Sequence, residues 1–136
     1  MKKSRCHCII LRRANKSVTE YYDTKMKPCG VTVNQFSLMR NLERLDTPSV
    51  SELAQKMHLE RSTLVRTLRP LLASRFIEDV SAAGTRNKCL RLTEKGKATL
   101  VAGEALWNEA QREFEEKLGT DNLASWYSML DALQRL

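Results

Sequence analysis

Long apolar runs, glycine and proline are scarce in this sequence, and each scarcity excludes a class of protein. Five glycines and three prolines among 136 residues, with no repeat, exclude collagen-like and proline-rich chains. No apolar run approaches the length of a membrane span. The run CIIL is followed at once by LRRANK, so it is too short for a signal-peptide core. We therefore expect a cytoplasmic protein with no membrane partner.

Arrangements of residues that perform catalysis are missing as well. The sequence has no glycine-rich phosphate loop, no paired carboxylates beside a histidine and no recognisable Ser-His-Asp arrangement. We therefore expect no enzyme, no catalytic residue, no cofactor and no established metal site.

Acidic residues are too few to balance the basic ones. The chain has 23 Lys and Arg against 16 Asp and Glu, a net charge of +7. The excess lies in residues 56–95, with nine basic residues against four acids, whereas residues 104–116 hold five glutamates and one arginine. A basic surface favours a polyanionic partner, nucleic acid first and an anionic membrane surface second.

The periodicity of apolar residues predicts a mainly α-helical chain with one small β-hairpin. Two short β-type runs, RFIEDVS and KCLRLT, flank AAGTRN and predict the hairpin. Six helices are predicted. The first spans residues 5–26, the second opens with the capping box of Thr32 and Gln35, and the short third opens with Ser49 or Ser51. The fourth runs from residue 60 or 61 to 74, the long fifth is capped by Thr93, and the last carries Leu123, Trp126, Leu130 and Leu133.

The stretch RSTLVRTLRPLL, residues 61–72, combines an apolar helix face with a second face of hydroxyls and guanidiniums that contains no acid. Such a face can donate to base edges and phosphates in the major groove of DNA, although a solvated helix surface has the same composition. Helix-turn-helix order followed by a basic hairpin favours DNA binding. The candidate DNA-contacting residues are Ser51, Arg61, Ser62, Thr63, Arg66 and Arg69 in the helices, and Thr85, Arg86, Asn87 and Lys88 at the hairpin tip.

The stretches VSELAQKMHLERSTLVRTLRPL and GTRNKCLRLTEKG resemble the MarR family of winged helix-turn-helix transcriptional regulators. The resemblance implies an α+β fold: one domain, residues 1–136, with a DNA-binding lobe at 32–95 and a helical dimerisation lobe at 1–31 and 96–136. It implies a homodimer that binds double-stranded DNA at a near-palindromic operator, usually as a repressor released by a small molecule or by cysteine oxidation. In the family the hairpin, or wing, ends in an Asp-x-Arg pattern. Arg86 matches its arginine, but Gly84 stands at the aspartate, so we expect a weaker wing contact.

The four cysteines raise the question of what signal the protein senses. Cys8 falls at the position of the reactive cysteine in the hydroperoxide-sensing branch of the resembling family, and Tyr22 at one of the tyrosines that bond it, but Val33 and Arg12 replace two others. Three interpretations stay open: an inert buried Cys8, a redox or electrophile sensor, or a soft-metal or arsenic(III) site. The residues involved are Cys6, Cys8, Cys29 and Cys89 for the sensor, and Cys6, His7, Cys8 and Cys29 for the metal site.

A small-molecule pocket is the other source of a signal that the resemblance implies. It would lie between the two lobes, although the same residues are equally suited to a core; they are Ile10, Tyr22, Phe36, Met39 and Arg40. Two alternative functions remain for the chain as a whole: a thiol-based redox or metalloid sensor whose charge is incidental, and a winged-helix interaction protein that binds no DNA.

Overall fold

The computed structural model describes residues 5–136, so the first four residues of the predicted dimerisation lobe lie outside the described part. The predicted mainly helical fold with one small hairpin is confirmed. Within the described residues, no helix has the length and apolar character needed to cross a membrane. The elements in chain order are α1 (His7–Met26), α2 (Val33–Arg44), α3 (Val50–Lys56), α4 (Arg61–Ala73), β1 (Ile77–Asp79), β2 (Leu90–Leu92), α5 (Glu94–Leu118) and α6 (Leu123–Gln134).

Side-chain caps fix where three of these helices begin. The predicted capping box before α2 is present, with Gln35 N–H donating to Thr32 Oγ1 at 3.2 Å and Thr32 N–H donating to Gln35 Oε1 at 2.9 Å. Thr93 caps α5 as predicted, accepting from Gly96 N–H at 3.0 Å. Of the two serines considered for α3, Ser49 is the cap. Each cap satisfies a backbone donor that the helix itself leaves free.

One apolar core joins α2, α3, α4 and the hairpin. The apolar face predicted for residues 61–72 faces this core, since Leu64, Leu68 and Leu71 are all buried. Ile77 and Leu90 bring the two strands of the hairpin onto the same core. The opposite face of α4 is therefore turned to solvent.

Strand β2 of the hairpin is paired on both of its edges. β1 and β2 are antiparallel, with Ile77 opposite Leu92 and Asp79 opposite Leu90. On the other edge, Leu90 N–H donates to the Pro48 carbonyl at 3.0 Å, and Val50 N–H donates to the Lys88 carbonyl at 3.1 Å. The segment that opens α3 thus acts as a third short strand, a pairing that the sequence patterns do not predict.

The terminal helices leave apolar surface uncovered in the single chain. Leu100 of the predicted α5 stripe is buried, but Trp107 and Phe114 are only half-buried. No residue of α6 is buried, and Met129 is 59% exposed. Packing within one chain therefore accounts for only part of the apolar stripes on α1, α5 and α6.

Candidate nucleic-acid interface

The solvent face of α4 is cationic and lacks acids along the whole helix. Arg61, Ser62, Val65, Arg66 and Arg69 line one open groove along this helix. The candidate Thr63 is also exposed, but it does not line this groove. Glu60, just before the helix, makes no side-chain capping bond. The exposed guanidiniums can therefore bind an anionic partner, because no carboxylate on α4 repels that partner.

A cleft joins α4 to the wing. We call this cavity of about 260 Å³ the α4–wing cleft. Four cations surround it, two from the helix and two from the wing, above an apolar floor. The cations are Arg61, Arg69, Arg86 and Lys88, and the floor is Val50, Val65, Leu68, Leu72 and Leu90. Arginines separated by about twenty residues in the sequence thus form one positive surface.

The wing tip is a turn that needs glycine. Gly84 has a φ of +83°, a backbone conformation that residues with a side chain rarely adopt. Thr85 N–H donates to the Ala82 carbonyl at 3.1 Å, and the Thr85 hydroxyl donates to the same oxygen. The exposed candidates Arg86, Asn87 and Lys88 follow this turn directly. Gly84 is thus explained by the backbone conformation of the tip.

Two acidic residues at the base of the wing have definite partners that sequence inspection missed. Arg91 Nε lies 2.6 Å from Glu78 Oε1 on the neighbouring strand. Asp79 Oδ1 accepts from the Ser81 hydroxyl at 2.6 Å and from Ser81 N–H at 2.9 Å. These bonds from Ser81 lower the pKa of the Asp79 carboxyl. The Asp-x-Ser spacing is the sequence signal that could have indicated this turn.

The last helical candidate, Ser51, lies on α3 beside this surface. It is exposed in the first turn of the helix, two residues after the cap Ser49. All ten predicted DNA-contacting side chains are therefore on the surface, on α3, α4 and the wing tip.

Comparison with known proteins places this geometry in a family. The model of the MarR family matches residues 31–79, which include α2, α3 and α4. The chain is similar to the Mycobacterium tuberculosis transcriptional regulator MosR, solved in complex with DNA, with 29% identity, a TM-score of 0.75, and coverage of 95% of this chain and 98% of the other. The chain is thus similar to the MarR family over residues 31–79 and to MarR-type regulators over nearly its whole length.

Further solved MarR-type structures have the same architecture. The transcriptional repressor CouR, solved with a 23-mer DNA duplex, is 27% identical, with a TM-score of 0.81 and coverage of 95% of this chain and 92% of the other. Staphylococcus aureus MepR in its DNA complex, at 19% identity and a TM-score of 0.80, shares the fold over 98% of this chain and all of its own. No curated protein sequence matches the chain. MarR-family proteins are transcriptional regulators, not enzymes.

The cysteines of the described residues are free thiols at separate places. Within the single chain, Cys6 and Cys8 are exposed at the start of α1, so Cys8 is not buried there as the first interpretation expects. Cys29 lies beyond the other end of the 20-residue helix, about 30 Å away at the α-helical rise. Its Sγ donates to the Met26 carbonyl at 3.0 Å. Cys89, half-buried, belongs to the segment paired with Ser49.

This separation decides against the proposed set of metal ligands within one chain. Cys29 cannot meet Cys6, His7 and Cys8 across the length of α1. Among residues 5–136, no group of three or more His, Cys, Asp or Glu side chains is arranged to hold a metal ion.

The five candidate pocket residues occupy different surroundings. Arg40 lies over the rings of Trp107 and Phe36, with its Cζ 4.6 Å and 5.7 Å from their centroids. Phe36 and Arg40 line a cavity of about 210 Å³ between α2 and α5. Met39 and Tyr22 are buried instead, with Tyr22 bonded to Gln111, and Ile10 lies 43% exposed beside Cys6. Only Phe36 and Arg40 share a cavity.

Proposed function

We propose that this protein is a sequence-specific DNA-binding transcriptional regulator that acts as a homodimeric repressor. The observation that carries the proposal is the α4–wing cleft, where cations of the helix and the wing meet and acids are absent from α4. The DNA complexes of MosR and CouR, two relatives above 25% identity, support the same assignment.

In this proposal, α4 and the wing contact different grooves of the DNA. A helix fits the major groove, where Arg66 can donate two hydrogen bonds to one guanine. The wing carries Arg86 to the adjacent minor groove, whose negative potential attracts arginine. The sugar–phosphate strand between the two grooves then lies along the α4–wing cleft, where Arg61, Arg69 and Lys88 neutralise its phosphates.

The uncovered apolar surface of the terminal helices supports a homodimer. Exposed Ile9, Ile10 and Leu11 of α1 and exposed Tyr127, Met129 and Leu133 of α6 would be covered by a second copy. A two-fold axis would place the two copies of α4 about 34 Å apart, one turn of DNA. A near-palindromic operator follows from that symmetry.

Release from DNA requires a signal, and two sources are supported. CouR has been solved with p-coumaroyl-CoA, and the cavity at Phe36 and Arg40 lies between α2, in the DNA-binding part, and α5. A polar inducer there would contact Arg40 together with Glu43 and Glu104, which also line the cavity. Oxidation of exposed Cys6 or Cys8 at the start of α1 is the second source. Either signal needs only about 1–3 kcal/mol of coupling to DNA affinity.

Salt dependence tests the proposed function directly. Duplexes selected by the protein from random-sequence DNA are titrated at several salt concentrations. About eight phosphate contacts per dimer give a slope of log K against log[salt] near −7. Failure to select any duplex, or a slope near zero, would favour the thiol sensor or the interaction protein instead.

Arg66→Ala is the matching residue test. Loss of a bidentate base contact is expected to weaken binding by about 1–3 kcal/mol and to relax preference at one base position. Arg112→Ala is the control, because Arg112 on α5 faces Glu116 rather than the α4 groove. Unchanged affinity of the Arg66 variant would mean that this side chain does not contact bases.

A further inference from the structure

The ladder between the two wing strands is short and gives the connection beyond it little direction. Each strand is only three residues long, and ten residues, 80–89, connect them. The pair of Glu78 and Arg91 lies in solvent, with the two side chains 43% and 61% exposed, and exposed ion pairs contribute little. Some other contact must therefore set the direction in which the connection leaves the sheet.

Asp79 makes contacts at the point where the connection leaves β1. Its Oδ1 accepts from both the backbone and the hydroxyl of Ser81, which fixes the first turn after the strand. Val80, between the two residues, donates its N–H to the Cys89 carbonyl at 2.8 Å. The charge of Lys88 also stabilises the Asp79 carboxylate. The carboxylate thus fixes the first turn of the connection, and the backbone bond from Val80 to Cys89 closes its two ends.

The return side of the connection is held in the same place. The Lys88 carbonyl accepts from Val50 N–H, the first residue of α3. Lys88 and Arg86 both border the α4–wing cleft. The conformation of the connection therefore determines whether the wing cations face the same strand of DNA as α4.

We propose that Asp79 is a positioning residue for DNA binding, which aligns Arg86 and Lys88 with α4 through its bonds to Ser81. This inference rests on the proposed function, since it assumes that the cleft binds DNA. It runs against simple electrostatics, because a carboxylate close to phosphates repels them. Removing Asp79 raises the net charge, and charge alone would tighten binding. A positioning role requires the opposite.

The test compares three variants on a duplex that the wild-type protein selects from random-sequence DNA. Asp79→Ala removes the acceptor and one negative charge. Glu60→Ala is the matched control, because it removes the same charge beside α4 but no capping bond. Ser81→Ala removes the hydroxyl donor and leaves the charge unchanged. Salt slopes and amide hydrogen exchange at Ser81 are measured for each protein.

Asp79→Ala is expected to weaken binding by about three- to tenfold, the effect of losing hydrogen bonds to a charged group at an exposed site. Its salt slope becomes shallower by about one for each wing cation that disengages. Ser81→Ala weakens binding in the same direction, and Glu60→Ala tightens it slightly. Faster exchange at Ser81 in the Asp79 variant accompanies the loss.

Tighter binding by Asp79→Ala, or unchanged binding by Ser81→Ala, overturns the positioning role. Failure of the wild-type protein to select DNA overturns the proposed function instead. The exchange measurement separates the two failures, because it reports the order of the wing without DNA. Unchanged exchange at Ser81 in the Asp79 variant also contradicts the inference.

Discussion

Single residues decide how closely α5 approaches the rest of the molecule. At Gly96, a Cβ atom would lie 2.0 Å from the backbone carbonyl oxygen of Phe76. At Gly103, it would lie 2.8 Å from the ring of Phe36. Both glycines are buried, so these contacts dock α5 on the segment before β1 and on α2. Because α5 packs against α1, whose exposed apolar residues the proposed dimer would cover, the two glycines also set where α4 lies relative to the second copy.

Alanine at these two glycines is expected to destabilise the protein to different extents. Overpacking of this kind costs about 1–3 kcal/mol. Gly96→Ala should lower the free energy of unfolding more than Gly103→Ala does, because a carbonyl oxygen in the backbone cannot move aside as a side-chain ring can. Denaturant unfolding at one protein concentration measures both. The reverse order would mean that α5 shifts as a whole.

Glu113 gives the contact between α1 and α5 a dependence on pH. Lys25 Nζ lies 2.6 Å from Glu113 Oε2, and Tyr21 Oη donates to the same oxygen at 2.7 Å. These bonds, that of Lys25 above all, lower the pKa of Glu113 to about 2. Since the folded state favours the carboxylate, the stabilisation is complete above the ordinary pKa of 4.5 and is lost as pH falls towards 2.

Glu113→Gln should therefore flatten the fall in stability below pH 4.5. The free energy of unfolding is measured from pH 6 to about pH 3, where the wild-type protein loses this contribution and the variant has none to lose. Glu116→Gln is the control, since its partner Arg112 and its own side chain are both 61% exposed. Equal pH dependence in wild-type and Glu113→Gln proteins would contradict the assignment.

At the scale of elements, the turn between α3 and α4 is closed by a residue in a left-handed conformation. His58 has a φ of +53° and donates its N–H to the Gln55 carbonyl at 3.2 Å. Leu59 N–H donates to the Ala54 carbonyl at 3.0 Å. Glycine is the usual residue at this place after a helix. The angle between α3 and α4 is thus kept at some cost in backbone energy.

His58→Gly should stabilise the protein. Relief of the left-handed strain outweighs the added freedom of the unfolded chain, for a gain of about 0.5–1 kcal/mol in unfolding free energy. His58→Ala keeps the strain and should give no gain. The denaturant midpoints of the two variants are compared with that of the wild-type protein. Stabilisation by His58→Ala would mean that the imidazole, and not the backbone conformation, is unfavourable at this position.

At the scale of the whole molecule, the exposed apolar face of α6 is a surface that the proposed dimer would cover. Within the chain, Trp126 contacts Phe114, with ring centroids 5.8 Å apart. Met129 and Leu133 remain 59% and 44% exposed. A second copy bringing its own terminal helices would remove both from water, and apolar burial favours association.

Leu133→Glu combined with Met129→Glu should separate the proposed dimer into monomers. A carboxylate buried at the interface without a partner is strongly unfavourable. Sedimentation velocity measures the change in mass, and operator affinity should fall with it because paired half-sites are lost. Leu59→Glu is the control for sedimentation alone, since this leucine is 37% exposed in the α3–α4 turn, away from α6. A double variant that sediments like wild type would place the interface elsewhere.

Local patterns were sufficient for most of the fold. The caps at Thr32 and Thr93 and the apolar face of α4 follow from contacts within a few residues along the chain. The exposed face of α4 follows from the same helical period, so its arginines could be predicted as candidates for DNA contact. The pairing of Pro48 with Leu90 could not, because it joins segments some forty residues apart without a pattern of its own.

The sequence by itself determined the helices, the hairpin and the acid-free face of α4, because capping and apolar periodicity act over short distances. Only the tertiary structure decided that Arg61 and Arg86 border one cleft and that Leu90 pairs with Pro48. These relations depend on how the core orients each element. Charge and periodicity are properties of a segment, whereas a cleft is a property of the packing between segments.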